Sequence, residues 1–177
     1  GYLAADQEDL LEALVGLLLN RYVVVLQDYE VRRQEIGRVP DWFSAGMAQA
    51  LFPALRKRNQ HLIVQEWAKG NLPELSEFIA KDYLPRGRWL NKAMSGMIFH
   101  WLESAEQKKN SFYRICFETW AKGNSLKLME LKSLFVNVKE EKDLLKQWDV
   151  WVGHRSDVSA KKSRGEDAFY DLYQKSK

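Results

Sequence analysis

The sequence predicts an all-α protein, a bundle of seven to eight helices with an internally duplicated helical unit, and three observations carry that expectation. Apolar residues recur at three- and four-residue steps over long stretches. The four Pro and ten Gly fall mostly between those stretches, where many short strands would need them more often. One five-residue word, Trp-Ala-Lys-Gly-Asn, closes two of the periodic segments, at residues 67–71 and again at 120–124.

The chain of 177 residues suits one domain with a short appendage, and an apolar fraction of 46% with seven Trp is enough for a sizeable core. Asp6 can cap a first helix over about 6–36, whose Leu11, Leu14, Leu18, Tyr22, Val25 and Tyr29 form a stripe that Leu10, Leu17 and Val24 widen. So broad an apolar surface predicts a helix at the centre of the bundle. Gly37-Arg38-Val39-Pro40 ends it, and Asp41 caps the next segment. Pro53 removes a backbone donor and splits that segment. A helix over 54–69 then ends in the first copy of the repeated word, where Lys69 suits the negative helix end and Gly70 the left-handed terminating position.

Pro73 opens a short helix to about Tyr83, and Leu84-Pro85-Arg86-Gly87 is a turn. Trp89, Leu90, Ala93, Met94, Met97, Ile98, Trp101, Leu102 and Ala105 mark an amphipathic helix over 88–108, followed by one capped by Ser111 and closed by the second copy at Gly123. Helices over 125–137 and 139–152 complete the bundle, residues 153–165 read as a basic linker, and a short helix over 166–175 follows. The domain reading is a bundle at 1–152, with repeat units at about 54–106 and 107–152, the linker, and the C-terminal segment 166–177.

The two copies lie 53 residues apart, and aligning them also pairs Leu62 with Ile115, Val64 with Phe117, Leu75 with Leu128 and Glu77 with Glu130. Cap chemistry accounts for the Lys, Gly and Asn. A functional version would present Lys69 and Lys122 at equivalent turns as two anion contacts.

The chemistry-bearing residues are sparse. His61, His100 and His154 are far apart, and a single Cys116 inside an apolar run supplies neither a disulfide nor a multi-cysteine zinc site, so no metal or cofactor is expected. His100 with Glu103 gives one His-x-x-Glu, where bundle metal sites need several such ligands to converge, so His100 reads as a partly buried, hydrogen-bonded residue. Phosphate-loop, dinucleotide and hydrolase signatures are missing from the sequence.

Arg56-Lys-Arg-Asn-Gln-His61 resembles the Arg-x4-His spacing of the HEPN ribonuclease family, helical bundles that use that Arg and His, usually across a dimer, to cleave RNA. The resemblance covers six residues and departs from the family pattern in having Lys57 where a polar Asn, Asp or His is usual. It implies an RNA-cleaving enzyme as a remote alternative; the reading from the residues is non-catalytic.

Charge supplies the leading functional expectation. Residues 1–53 carry four bases against eight acids, net −4, and residues 54–177 carry 23 against 16, net +7. A basic surface on the C-terminal two thirds points to an anionic partner, nucleic acid first. The expectation is a helical subunit that binds RNA or DNA backbone, with other protein subunits, through Arg56, Lys57, Arg58, Lys69, Arg86, Arg88, Lys92, Lys108, Lys109, Lys122, Lys161, Lys162 and Arg164. Trp89 and Phe112, interleaved with these bases, read as core residues. The alternative is a protein-interaction scaffold without nucleic acid. The apolar run at 10–26 is interrupted by Glu12, Asn20 and Arg21, so no membrane span is expected, and a cytoplasmic location is the default.

Overall fold

The computed structural model describes residues 5–27, 37–84, 89–105 and 111–155. Among them it is all-helical: α1 (Ala5–Leu26), α2 (Asp41–Leu51), α3 (Pro53–Ala68), α4 (Leu75–Ile79), α5 (Trp89–Ala105), α6 (Ser111–Ala121), a 3₁₀ segment (Leu128–Leu134) and α7 (141–155). No strand occurs among the described residues. The predicted segment 166–175 and the far end of the first helix lie outside them.

Helix α5 is the hub, flanked by α2 and α3, while α2 also carries α1 on its other side. Close approach of α2 and α5 depends on small residues. A Cβ on Gly46 would stand 2.7 Å from Cβ of Phe99 and 2.8 Å from the Ser95 carbonyl, and one on Gly96 would stand 2.0 Å from Gln49 Oε1. Gln49 fills that gap with polar atoms that all find partners: its amide donates to the Lys92 carbonyl at 2.7 Å and its oxygen accepts from Asn59 at 2.8 Å. Satisfied in this way, a buried amide ties three helices without the penalty of an orphaned polar group.

An aromatic core surrounds the crossing. Phe43 meets the rings of Trp42, Phe99, Phe112 and Trp120 at centroid distances of 4.8–5.7 Å, mostly edge-on. Trp42 Nε1 donates to the Ile79 carbonyl at 3.0 Å, which docks the α4 segment onto α2. Helix α7 closes the far side, with Trp148 against Trp101 at 5.4 Å and Gly153 against Trp67.

Three local expectations are corrected. Helix α1 is peripheral, and the face it buries is not the apolar stripe. Glu8, Val15, Val23 and Gln27 are buried, whereas Leu10, Leu14, Leu17, Leu18, Tyr22, Val25 and Leu26 are 44–67% exposed. Specific polar ties outweigh the stripe: Glu12 and Asp9 bind Lys92 of α5, Asn20 accepts from the Val39 amide at 2.8 Å, and Gly16 lets Ser44 approach. The segment expected as an α-helix over 125–137 is instead a 3₁₀ turn that buries Leu128, Leu131 and Leu134, a spacing of three that this tighter helix stacks on one edge. Helix α7 runs through Gly153 to residue 155, past the expected start of the linker, because Trp148, Trp151 and Val152 continue its packed face, and Trp67 lies against Gly153.

The repeated word forms the same cap twice. Gly70 and Gly123 have φ of 72° and 73°. The amides of Gly70 and Gly123 donate to the carbonyls of Trp67 and Trp120, both at 2.9 Å, and those of Asn71 and Asn124 reach Glu66 and Thr119. This is the Schellman termination, which satisfies the orphan carbonyls of each helix end. The order of elements also repeats, α3–α4–α5 and then α6–3₁₀–α7.

Candidate functional site

The basic residues singled out from sequence divide into three groups. Arg86, Arg88, Lys108, Lys109, Lys161, Lys162 and Arg164 lie outside the described residues, as do the side chains of Lys57 and Arg58 on α3. Two others are tied within the fold. Lys92 reaches from α5 to Asp9 and Glu12 of α1, the latter at 3.3 Å, and its side chain is 18% exposed. Burial opposes its charge, but the combined hydrogen bonds and charges of the two carboxylates prevail and raise its pKa. Burial also raises the Glu12 pKa, more than the attraction of Lys92 lowers it. Lys69 pairs with Glu66 at 2.6 Å; the hydrogen bonds from Lys69 and Asn71 hold the Glu66 carboxyl below its usual range.

Lys122 occupies the equivalent place in the second copy, but Thr119 stands where Glu66 stands in the first, and no such carboxylate faces it. Lys122 is exposed and forms none of the ion pairs found among the described residues. The two lysines are therefore electrostatically unlike.

Arg56 sits in a setting that the sequence did not reveal. From the first turns of α3 its charge, with that of Arg155 near the end of α7, acts on His100 of α5. Burial and the two arginine charges push the His100 pKa down to about 4, so the imidazole is neutral at pH 7. The Arg155 guanidinium lies 3.9 Å over the Trp151 ring, and His100 meets the same ring edge-on at 5.4 Å. Burial, and then the charge of Arg56, lowers the Arg155 pKa. Its Nε–H is buried with no acceptor among the described residues. No acid contributes to the shifts of His100 or Arg155, so this is a cationic cluster without a carboxylate among the described residues.

Beside the cluster is a groove of about 660 Å³ between the end of α5, the 3₁₀ segment and α7. Trp101, Phe135, Val136, Val150 and Trp151 supply its apolar wall, and Lys146 and His154 add basic groups. Trp151 is common to groove and cluster. Sequence reasoning missed Arg155 because Gly153 was read as the start of a linker, although the Trp148, Trp151, Val152 spacing continues a helical face.

The Arg56 and His61 pair of the HEPN-like spacing does not converge within the chain. Five residues apart, they lie about 140° around the helix from each other. His61 is exposed and hydrogen-bonds Gln65 at 2.9 Å. Glu103 accepts from the Tyr113 hydroxyl at 3.2 Å, and no group of His, Cys, Asp and Glu among the described residues is placed to hold a metal ion. Cys116 is buried. Trp89, expected in the core, is 47% exposed on the first turn of α5, whereas Phe112 is fully buried. No described helix is long and apolar enough to cross a membrane.

The class defined by fold and site is an all-α helical bundle with a cationic cluster that no carboxylate among the described residues compensates. Comparison with protein-family models, curated proteins and solved structures finds no match to the chain.

Proposed function

We propose that the chain is a non-catalytic protein-interaction module whose contact surface is the outward face of α1. One observation carries this reading: the helix buries a narrow face that includes Glu8, Val15 and Val23 and presents seven large apolar side chains to solvent. Together they expose on the order of 600 Å² of apolar surface, the upper end of what monomers show, and approach the area one partner contributes to a stable interface. The partner chemistry that fits is a polypeptide with an apolar face, since Arg21 is the only ionic group within the stripe.

Leu14→Glu/Leu18→Glu tests it, because both residues are exposed and their replacement leaves the core intact. Wild type should bind a hydrophobic dye and associate as concentration rises in sedimentation velocity. The variant should do neither while keeping the same helical circular dichroism. A wild type that stays monomeric and dye-silent up to its solubility limit removes the reading.

The second reading, contact with nucleic-acid backbone, is favoured by the acid-free grouping of Arg56 and Arg155 and by the exposed Trp89 beside the basic segment of the sequence. It follows the interaction reading because Lys69 and Lys92 are neutralised within the fold. Labelled single-stranded RNA titrated at about 50 and 200 mM salt tests it, since each phosphate contact steepens the loss of affinity with salt. Salt-steep binding weakened by Arg56→Gln supports it, and absence of binding at low salt excludes it.

A further inference from the structure

We infer that the outward face of α1 pairs with the same face of a second copy of this chain, antiparallel, about a two-fold axis at Leu14. The inference rests on the interaction-module reading above and names the partner of that surface.

The stripe is symmetric along its length. Gln7, Leu10, Leu11, Leu14, Leu17, Leu18 and Arg21 follow one another at steps of 3, 1, 3, 3, 1 and 3 residues, the same order from either end. All but Leu11, at the edge, fall within an arc of about 100° on the helix. A half-turn about Leu14 therefore lays Leu10 on Leu18, Leu11 on Leu17 and Leu14 on itself. A surface that matches itself under a half-turn is what a closed two-fold contact requires. Leu10, Leu14, Leu17 and Leu18 are 49–67% exposed, so these side chains are available to a partner.

The relief of the surface fits the same register. Toward the C-terminal end of α1, Leu17, Arg21, Val24 and Val25 border a hollow of about 800 Å³ with Gly37 and Arg38. The half-turn brings the early turns of the other copy's α1 to that hollow, Leu11 among them.

Charge selects the direction. A parallel pair in register would also set Leu on Leu, but it would stack Arg21 on Arg21 within an apolar seam, and like charges brought together in an interface are costly. The antiparallel pair instead sets each Arg21 opposite Gln7, beside first turns that carry Asp6 and Asp9. The Asp9 side chain remains 68% exposed although it binds Lys92. The area is sufficient: two such stripes remove on the order of 1,200 Å² from water, the lower end of stable specific interfaces.

The experiment uses the whole chain and reads association and register separately. Sedimentation velocity over rising concentration is measured for wild type, for Leu14→Glu/Leu18→Glu and for Arg21→Glu. Disulfide formation under a mild oxidant is measured for Leu14→Cys, Leu10→Cys and Leu18→Cys, each alone, and for the last two mixed. Wild type, whose Cys116 is buried, is the background.

The expected result is a dimer that Leu14→Glu/Leu18→Glu abolishes and Arg21→Glu weakens at least about tenfold. Leu14→Cys should cross-link to itself, and Leu10→Cys to Leu18→Cys only in the mixture. Leu10→Cys cross-linking to itself as readily as to Leu18→Cys overturns the antiparallel register. A wild type that stays monomeric but binds a hydrophobic dye through this face overturns the second copy as partner and spares the interaction-module reading, whose partner is then a different polypeptide. A monomer silent to the dye removes both, as does a dimer that Leu14→Glu/Leu18→Glu leaves intact with its dye binding unchanged.

Discussion

Lys92→Met distinguishes a lysine that holds the fold together from one that serves as a surface contact. In the structure the ammonium joins α5 to α1 through Glu12 at 3.3 Å and through Asp9, with the Lys92 and Glu12 side chains each 18% exposed and that of Asp9 68% exposed. Exposed pairs contribute up to about 1 kcal/mol, whereas removing one partner of a fully buried pair costs about 3–5 kcal/mol. This pair lies between those limits, and Met keeps the apolar stem, so the expected loss at pH 7 is about 2–3 kcal/mol.

The pH dependence identifies the cause. Burial already raises the Glu12 pKa, and without Lys92 it rises further because the attraction and hydrogen bond that lower it are gone. A carboxyl whose folded pKa exceeds its unfolded value destabilises the fold above the folded pKa, and that penalty fades as pH falls through it. The deficit of the variant should therefore shrink as pH falls from 7 toward 5, as read from urea unfolding followed by tryptophan fluorescence. A deficit below about 1 kcal/mol at pH 7, or one equal at both pH values, would refute the reasoning. A variant of unchanged stability but weaker RNA binding would return Lys92 to the surface contacts.

The His100 ring gives the wild type an opposite response to acid. Its folded pKa of about 4 lies below the ordinary 6.5, so the unfolded chain takes up the proton first and stability falls from pH 6.5 to about 4. With the ring partly exposed, screening reduces the effect to about 1–2 kcal/mol, and His100→Gln should flatten that part of the stability-versus-pH curve. The two repeated tryptophans should differ as their surroundings do: Trp120→Ala empties a site 4.8 Å from Phe43 and should cost about 3–5 kcal/mol, while Trp67→Ala should cost about half of that or less in the same urea titration.

The helix boundaries that depend on local chemistry were legible in the sequence. Pro53 separates α2 from α3, and Gly70 and Gly123 end α3 and α6, because a missing donor or a left-handed residue acts within one turn. The 3₁₀ segment was legible only in part: Leu128, Leu131 and Leu134 recur every three residues, but Phe135, four after Leu131, keeps an α-helical reading open in the sequence. The orientation of α1 was not. Its stripe is the stronger pattern, but the buried face is chosen by Lys92, Val39 and Ser44, all distant in sequence from the residues they hold. Periodicity measures what a helix could bury; its partners decide what it does bury.

The same distinction separates the basic residues from a site. Charge counting treated Lys69 and Lys122 as equivalents because the word around them is identical, and the backbone confirms the cap in both places. One position upstream of the word separates them: Glu66 neutralises Lys69, and Thr119 leaves Lys122 without a counterpart. The tryptophans diverge as well, Trp120 into the aromatic core and Trp67 against Gly153 of α7. Trp67 lies against Gly153, two residues before the Arg155 that covers Trp151 and feels the charge of Arg56. The repeat therefore specifies how two helices end, and what each copy packs against is set by the residues around it.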